Sequence, residues 1–144
     1  MAVDENKAVA RRYVEDGFNA GSMEALDELF APNFVNHDPG APAVRDLEGL
    51  KESMRLMHQA FPDIQTSIDA LLADGDYVTK RFTVRGTHQA EFNGIPPTGK
   101  QIECQGIDIL RISGGKIHEI WMSFDYLGVL QQLGVLPQPE PVGA

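Results

Sequence analysis

Two carboxyl groups and one phenol occupy sequence contexts suited to proton transfer beside a carbonyl. Asp108 lies in Ile102-Glu103-Cys104-Gln105-Gly106-Ile107-Asp108-Ile109-Leu110-Arg111-Ile112. It shares the phase of Ile102, Cys104, Leu110 and Ile112, so strand alternation points its carboxyl at an apolar face. Burial without a partner raises a carboxyl's pKa and keeps it protonated, which makes it a hydrogen-bond donor. A donor in a dry pocket stabilises the oxygen of an enolate, the intermediate of aldol chemistry and of proton transfer next to a carbonyl. A bland alternative stands beside this: pairing with Arg111, Arg81 or a backbone amide, in a strand that Ile107 and Ile109 make apolar on both faces. Tyr13 offers a second donor or an ordinary core aromatic. Asp38, before Pro39-Gly40, is expected to be less buried and ionised, a general base or a turn residue.

Other chemistries find little support. His37, His88 and His118 are scattered without metal-ligand spacing, and no phosphate loop, nucleophile elbow or Cys-His arrangement is present, so neither metal nor cofactor is expected. His37 beside Asp38 could titrate near neutrality or orient a ligand. Cys104 is the single cysteine, which excludes an internal disulfide. With 12 Lys+Arg against 21 Asp+Glu the net charge is −9, which disfavours a nucleic-acid partner. No apolar stretch approaches the roughly 20 residues of a membrane span. No apolar run follows a basic start, so a cytoplasmic location is expected.

The elements that must position these groups follow from periodicity. The chain has 144 residues, 42% of them hydrophobic and 23% charged, which suits one globular domain. Ala10, Tyr13, Val14, Gly17 and Phe18 mark a first helix with one buried stripe, and Met23, Leu26, Leu29 and Phe30 a second. A brief strand from Phe34 to Asp38 and a third helix with Leu50, Met54, Met57 and Phe61 come next. From Ile64 the period falls to two. A strand to Leu72, a turn at Asp74-Gly75, a long strand from Tyr77 to about Phe92 with a bulge at Gly86, a strand from Gln101 to Ile112 and a last strand from Ile117 to Asp125 are expected. A short helix with Leu127, Leu130 and Leu133 closes a single domain at 1–136, followed by a loosely ordered tail at 137–144. Helices before antiparallel strands imply an α+β fold, with helices on one side of a curved sheet and an apolar pocket at its open end.

The run Gly86-Thr87-His88-Gln89-Ala90-Glu91-Phe92-Asn93-Gly94-Ile95-Pro96-Pro97-Thr98-Gly99, then Asp108 to Ile112, Gly115-Lys116-Ile117 and Leu130-Gln131-Gln132-Leu133-Gly134, resembles the SnoaL-like polyketide cyclases over nearly the whole chain. The resemblance implies the nuclear-transport-factor-like cone, an antiparallel sheet curved around helices and a hydrophobic pocket, and a cofactor-free aldol closure by acid/base catalysis. Members of this fold commonly form homodimers. Arg12-Tyr13-Val14, Asp38-Pro39, and Asp108 with Arg111 are also similar to the stretches that carry the oxyanion tyrosine, general base and protonated acid of ketosteroid isomerases, which share the fold.

One position departs from the cyclase pattern: the catalytic Asp expected on the last strand, five residues after the Ile of Gly-Lys-Ile, is Met122 here. A two-residue Gly114-Gly115 loop would set Asp108 opposite Trp121, and a three-residue loop opposite Ile120 with Met122 on the same face; the longer loop is favoured. The expected pocket is lined by Tyr13, Asp38, Asp108, Trp121, Met122 and Phe124, with His37 and Ile120 also against the ligand, a hydrophobic carbonyl compound of polyketide or steroid-like size. Asp38 would remove the proton while Tyr13 and Asp108 hold the oxyanion. Cyclisation, isomerase-like double-bond migration and a non-catalytic binding or dimerisation module all remain open.

Overall fold

Acidic Asp4 and Glu5 begin the first helix, α1 (Ala2–Arg12), and basic Arg11 and Arg12 end it, each sign where the helix dipole favours it. The computed structural model describes residues 2–137; the expected tail lies, from 138 onward, outside them. After Arg12 the chain continues through Tyr13–Asn19 in wider, π-type turns, with Ala20 N–H donating to Glu15 O at 3.1 Å. Gly17 is required there, because a Cβ would lie 2.9 Å from the Leu26 side chain. Ser22 Oγ accepts from Ala25 N–H to cap α2 (Met23–Leu29), and Asp46 does the same through Gly49 N–H for α3 (Leu47–Ala60).

Five strands follow the order β1-β5-β4-β3-β2. They are β1 (Phe30–Asn36), β2 (Gln65–Asp74), β3 (Tyr77–Thr87), β4 (Gln101–Ser113) and β5 (Lys116–Phe124). The pairs β2/β3, β3/β4 and β4/β5 are antiparallel, whereas β1 runs parallel to β5. A short helix α4 (Tyr126–Gln132) follows, with Asp125 as its cap through Gly128 N–H. The α+β architecture is thus as expected, with one parallel pairing. Phe30 begins β1 instead of ending α2, and β3 stops at Thr87 instead of near Phe92. Gly86 pairs in regular register with Ile102; its role is close approach, since a Cβ would meet Phe61 at 3.1 Å.

The last hairpin has the shorter of the two loops considered, not the favoured longer one, and its register matches neither expectation. Gly114 and Gly115 form a two-residue turn, with φ of +59° and +75°, values that suit glycine. A bulge then shifts the register between Arg111↔Glu119 and Ile112↔Ile117, so Asp108 faces Met122. The expected shared face is therefore reached by a tight turn plus one inserted residue.

Alternation divides the sheet. On the inner face Val78, Leu110, Ile112, Ile117 and Ile120 pack against Ala10, Leu26, Leu29, Phe30 and Met54, and a second cluster gathers Phe61, Ile64, Phe82, Val84 and Cys104. Leu72, Tyr77, Ile107, Ile109 and Trp121 remain exposed on the outer face. Among the described residues no helix is long and apolar enough to cross a membrane.

Candidate active site on the inner face of the sheet

Strand phase delivers Asp108 inward, 2% exposed. Its partner is neither arginine that the sequence suggested. Lys80 lies opposite it on β3, and Lys80 Nζ donates to Asp108 Oδ2. Asp108 Oδ1 is buried without a hydrogen-bond partner among the described residues. Burial pushes the Asp108 carboxyl above the usual carboxylate range, while the charge and hydrogen bond of Lys80 act the other way. Two aromatic rings flank the Lys80 ammonium, Tyr13 with its centroid at 5.3 Å and Phe82 at 4.8 Å.

Tyr13 is half-buried and edge-on to Phe30. Burial, and secondarily the charge of Asp108, raise its phenol well above the ordinary value, so it stays protonated at neutral pH. Tyr13 and Asp108 are thus brought to one electrostatic neighbourhood, as the sequence suggested.

Asp38 departs from expectation by being buried, 5% exposed. Its Oδ1 accepts from Gly40 N–H at 2.9 Å and its Oδ2 from the Tyr126 hydroxyl at 2.6 Å. Gly40 makes this possible, because a Cβ there would meet the Tyr126 ring at 2.2 Å. The Tyr126 phenol is raised by burial, by its bond to Asp38 and by the nearby charges of Asp38 and Tyr13. Asp38, Tyr126, Tyr13 and Asp108 therefore form a chain of electrostatic neighbours from α4 to the middle of β4.

Met122 and Phe124 are half-buried on the same inner face. Phe124 stacks on Phe82 at 6.1 Å and stands edge-on to Tyr126 at 5.0 Å. Gly106 lies beneath that stack, where a Cβ would be 2.5 Å from Phe82.

Three expected ligand contacts fall elsewhere. Trp121 points to the outer face, because alternation cannot place it beside Met122, and there it stacks on His37 at 5.1 Å. His37 is exposed and bonds Glu119 Oε2 at 2.8 Å; that bond, then Arg111, holds the Glu119 carboxyl below its usual range. Ile120 is 3% exposed and belongs to the packed core opposite Leu110. Among the described residues no group of three or more His, Cys, Asp or Glu could hold a metal ion.

Lys80 and Tyr126 went unnoticed in sequence. The phase of Val78, Phe82 and Val84 already places Lys80 inward; Tyr126 carries no comparable signal, since its role depends on where α4 lands.

The family model described as SnoaL-like polyketide cyclase matches residues 8–133. The aklanonic acid methyl ester cyclase DauD of Streptomyces sp. (strain C5) is 30% identical, covering 94% of this chain and 84% of that protein. The nogalonic acid methyl ester cyclase of Streptomyces nogalater is 26% identical, covering 88% and 95%. Among solved structures, wild-type IdmH from Streptomyces antibioticus is 34% identical with a TM-score of 0.81, covering 90% of this chain and 98% of that one.

Proposed function

We propose, from the premise that the chain belongs to the SnoaL-like polyketide cyclase family, that it closes a ring by cofactor-free intramolecular aldol addition within a hydrophobic, polyketide-like carbonyl compound. Asp38 removes a proton from carbon next to a carbonyl, and Tyr126 orients it. Tyr13 supplies the acid side, its phenol kept neutral by burial and donating to the developing enolate oxygen. The observation that carries this reading is the Tyr126 hydroxyl bonded at 2.6 Å to Asp38, the proposed base, with Tyr13 within electrostatic reach of both Tyr126 and Asp108.

Asp108 enters differently from the role expected of it. With Oδ2 engaged by Lys80, it is no free acid, which favours cyclisation over the isomerase-like reaction. The same ion pair also favours a second reading, a ligand-binding module whose inner charges are structural. Exchange of the α-hydrogens of small apolar ketones in heavy water separates the two. Protein-dependent exchange supports the enzyme, and its absence with every ketone that binds supports the module.

The homodimer is proposed to form through the outer face. Leu72, Tyr77, Thr79, Ile109 and Trp121, with Asp74 as the one charged member, line a largely apolar concavity of about 600 Å³ there. The ion pair Arg111–Glu119 neutralises the surface beside it, so a chain of net charge −9 presents a face to a second copy whose concavity carries one charge, Asp74.

A further inference from the structure

The outer face of the sheet holds two concavities of unlike charge. The first carries Asp74 as its one charged member, and its Tyr77 and Trp121 rings have centroids 6.3 Å apart. The second, of about 440 Å³, has Arg81, Gln105, Ile107, Ser123 and Asp125 in its wall. Asp125 is engaged already, capping α4 through Gly128 N–H. Arg111 and His37 both sit on Glu119, and Arg85 pairs with Glu103 further along the face. Asp74 and Arg81 are exposed, and neither has an ion pair or a side-chain hydrogen bond among the described residues. Asp74 lies opposite Tyr77 and Ala70 opposite Arg81, so their rows are separated by roughly 13 Å at the rise of a strand. One open anion and one open cation thus stand apart on the same face.

We propose that Arg81 of each copy enters the first concavity of the other and pairs there with the partner's Asp74, between the Tyr77 and Trp121 rings. A guanidinium suits that concavity, because it is planar, stacks on aromatic faces and presents a fork of donors to a carboxylate. In an isologous dimer every contact between two different residues is made twice, so two such pairs form. Each second concavity then lies over the first concavity of the other copy. Exposed Ile109 lines the first and exposed Ile107 the second, so these neighbouring rows of β4 mark where the two-fold axis passes. Two pairs of opposite charge at the contact offset the repulsion between chains of net charge −9 and fix the register in which they meet. The inference deepens the outer-face dimer proposed above and rests on it.

Charge reversal tests the pairing by sedimentation equilibrium at low salt. Arg81→Glu and Asp74→Arg should each raise the dimer dissociation constant at least about tenfold. An equimolar mixture of the two variants should dimerise as the wild type does, because every pair in the mixed dimer again joins opposite charges. Asp74→Arg discriminates most sharply: it lowers the negative charge of the chain, so relief of general repulsion would tighten the dimer, the opposite of the expected result. Both side chains are exposed, and circular dichroism checks each fold; Arg81→Gln and Asp74→Asn should weaken the dimer in the same direction and serve where a reversal does not fold. A wild-type dimer indifferent to both reversals, tightened by Asp74→Arg, or weakened by both without recovery on mixing overturns the pairing and leaves the outer-face dimer to the Trp121→Glu variant. A wild-type protein that stays monomeric removes the dimer and the pairing together.

Discussion

Tyr126 and Asp38 are 88 residues apart in sequence and are joined by a 2.6 Å hydrogen bond, so the first turn of the last described helix holds the carboxyl of a loop that follows β1. Tyr126→Phe leaves Asp38 Oδ2 without this donor in a buried place. Stability should fall by about 1–3 kcal/mol, the penalty for an unsatisfied buried group, read from urea unfolding midpoints. Gly40→Ala should do at least as much, because the new methyl occupies the space of the Tyr126 ring; an unchanged midpoint in both variants would show that the bond is unimportant to the fold.

Asp38→Asn preserves shape but removes the proposed base. Ketone α-hydrogen exchange should drop by about 10²- to 10⁴-fold, the usual contribution of a general base, while ligand affinity measured by fluorescence changes little. An unchanged exchange rate removes Asp38 from the mechanism.

The Lys80–Asp108 pair should behave as a unit. Lys80→Met or Asp108→Leu alone strands the partner or its space and should cost about 3–5 kcal/mol, whereas Lys80→Met with Asp108→Leu should recover most of the loss. A double variant as unstable as the sum of the single ones would contradict coupling between them.

Alkaline pH should unfold the protein by a route the tyrosines set. Tyr13 and Tyr126 have folded-state pKa values raised above their ordinary ones, chiefly by burial. A raised folded value means that their stabilising contribution is complete below the unfolded phenol pKa of about 10 and is lost as pH climbs past it. Two of the three tyrosines should therefore gain phenolate absorbance only as the fold opens. Tyr13→Phe and Tyr126→Phe should each flatten the decline of stability above about pH 10. Early titration of either phenol in folded protein would contradict the burial described.

Trp121→Glu tests the outer face. A charge at the edge of its apolar concavity should convert the proposed dimer to monomer in sedimentation equilibrium without changing the circular dichroism spectrum. A wild-type protein that sediments as a monomer at high concentration would overturn that interface.

Strand phase made the inward turn of Asp108 legible, because alternation needs only the local pattern of Ile102, Cys104, Leu110 and Ile112. The same phase placed Lys80 inward, yet proximity in sequence favoured Arg111 and Arg81 as partners; the cross-strand pairing of β3 with β4 decided otherwise. Asp38 looked like a solvated turn residue because its two neighbours, Pro39 and Gly40, are turn formers. Its burial arises from Tyr126, a contact that no local pattern encodes. Trp121 and Met122 were both expected in the pocket, and alternation permits only one of them.

One extra residue in β5, between the partners of Arg111 and Ile112, decides which that is. If β5 paired in an unbroken ladder from the Gly114-Gly115 turn with His118 in place, Arg111 would face His118 and Trp121 would come around to meet Asp108. Asp108 would then neighbour a rigid indole in place of a pliable thioether, and each later side chain of β5 would change face. Which side chain meets Asp108 is thus set by a single unpaired position in β5, independently of Asp108 itself.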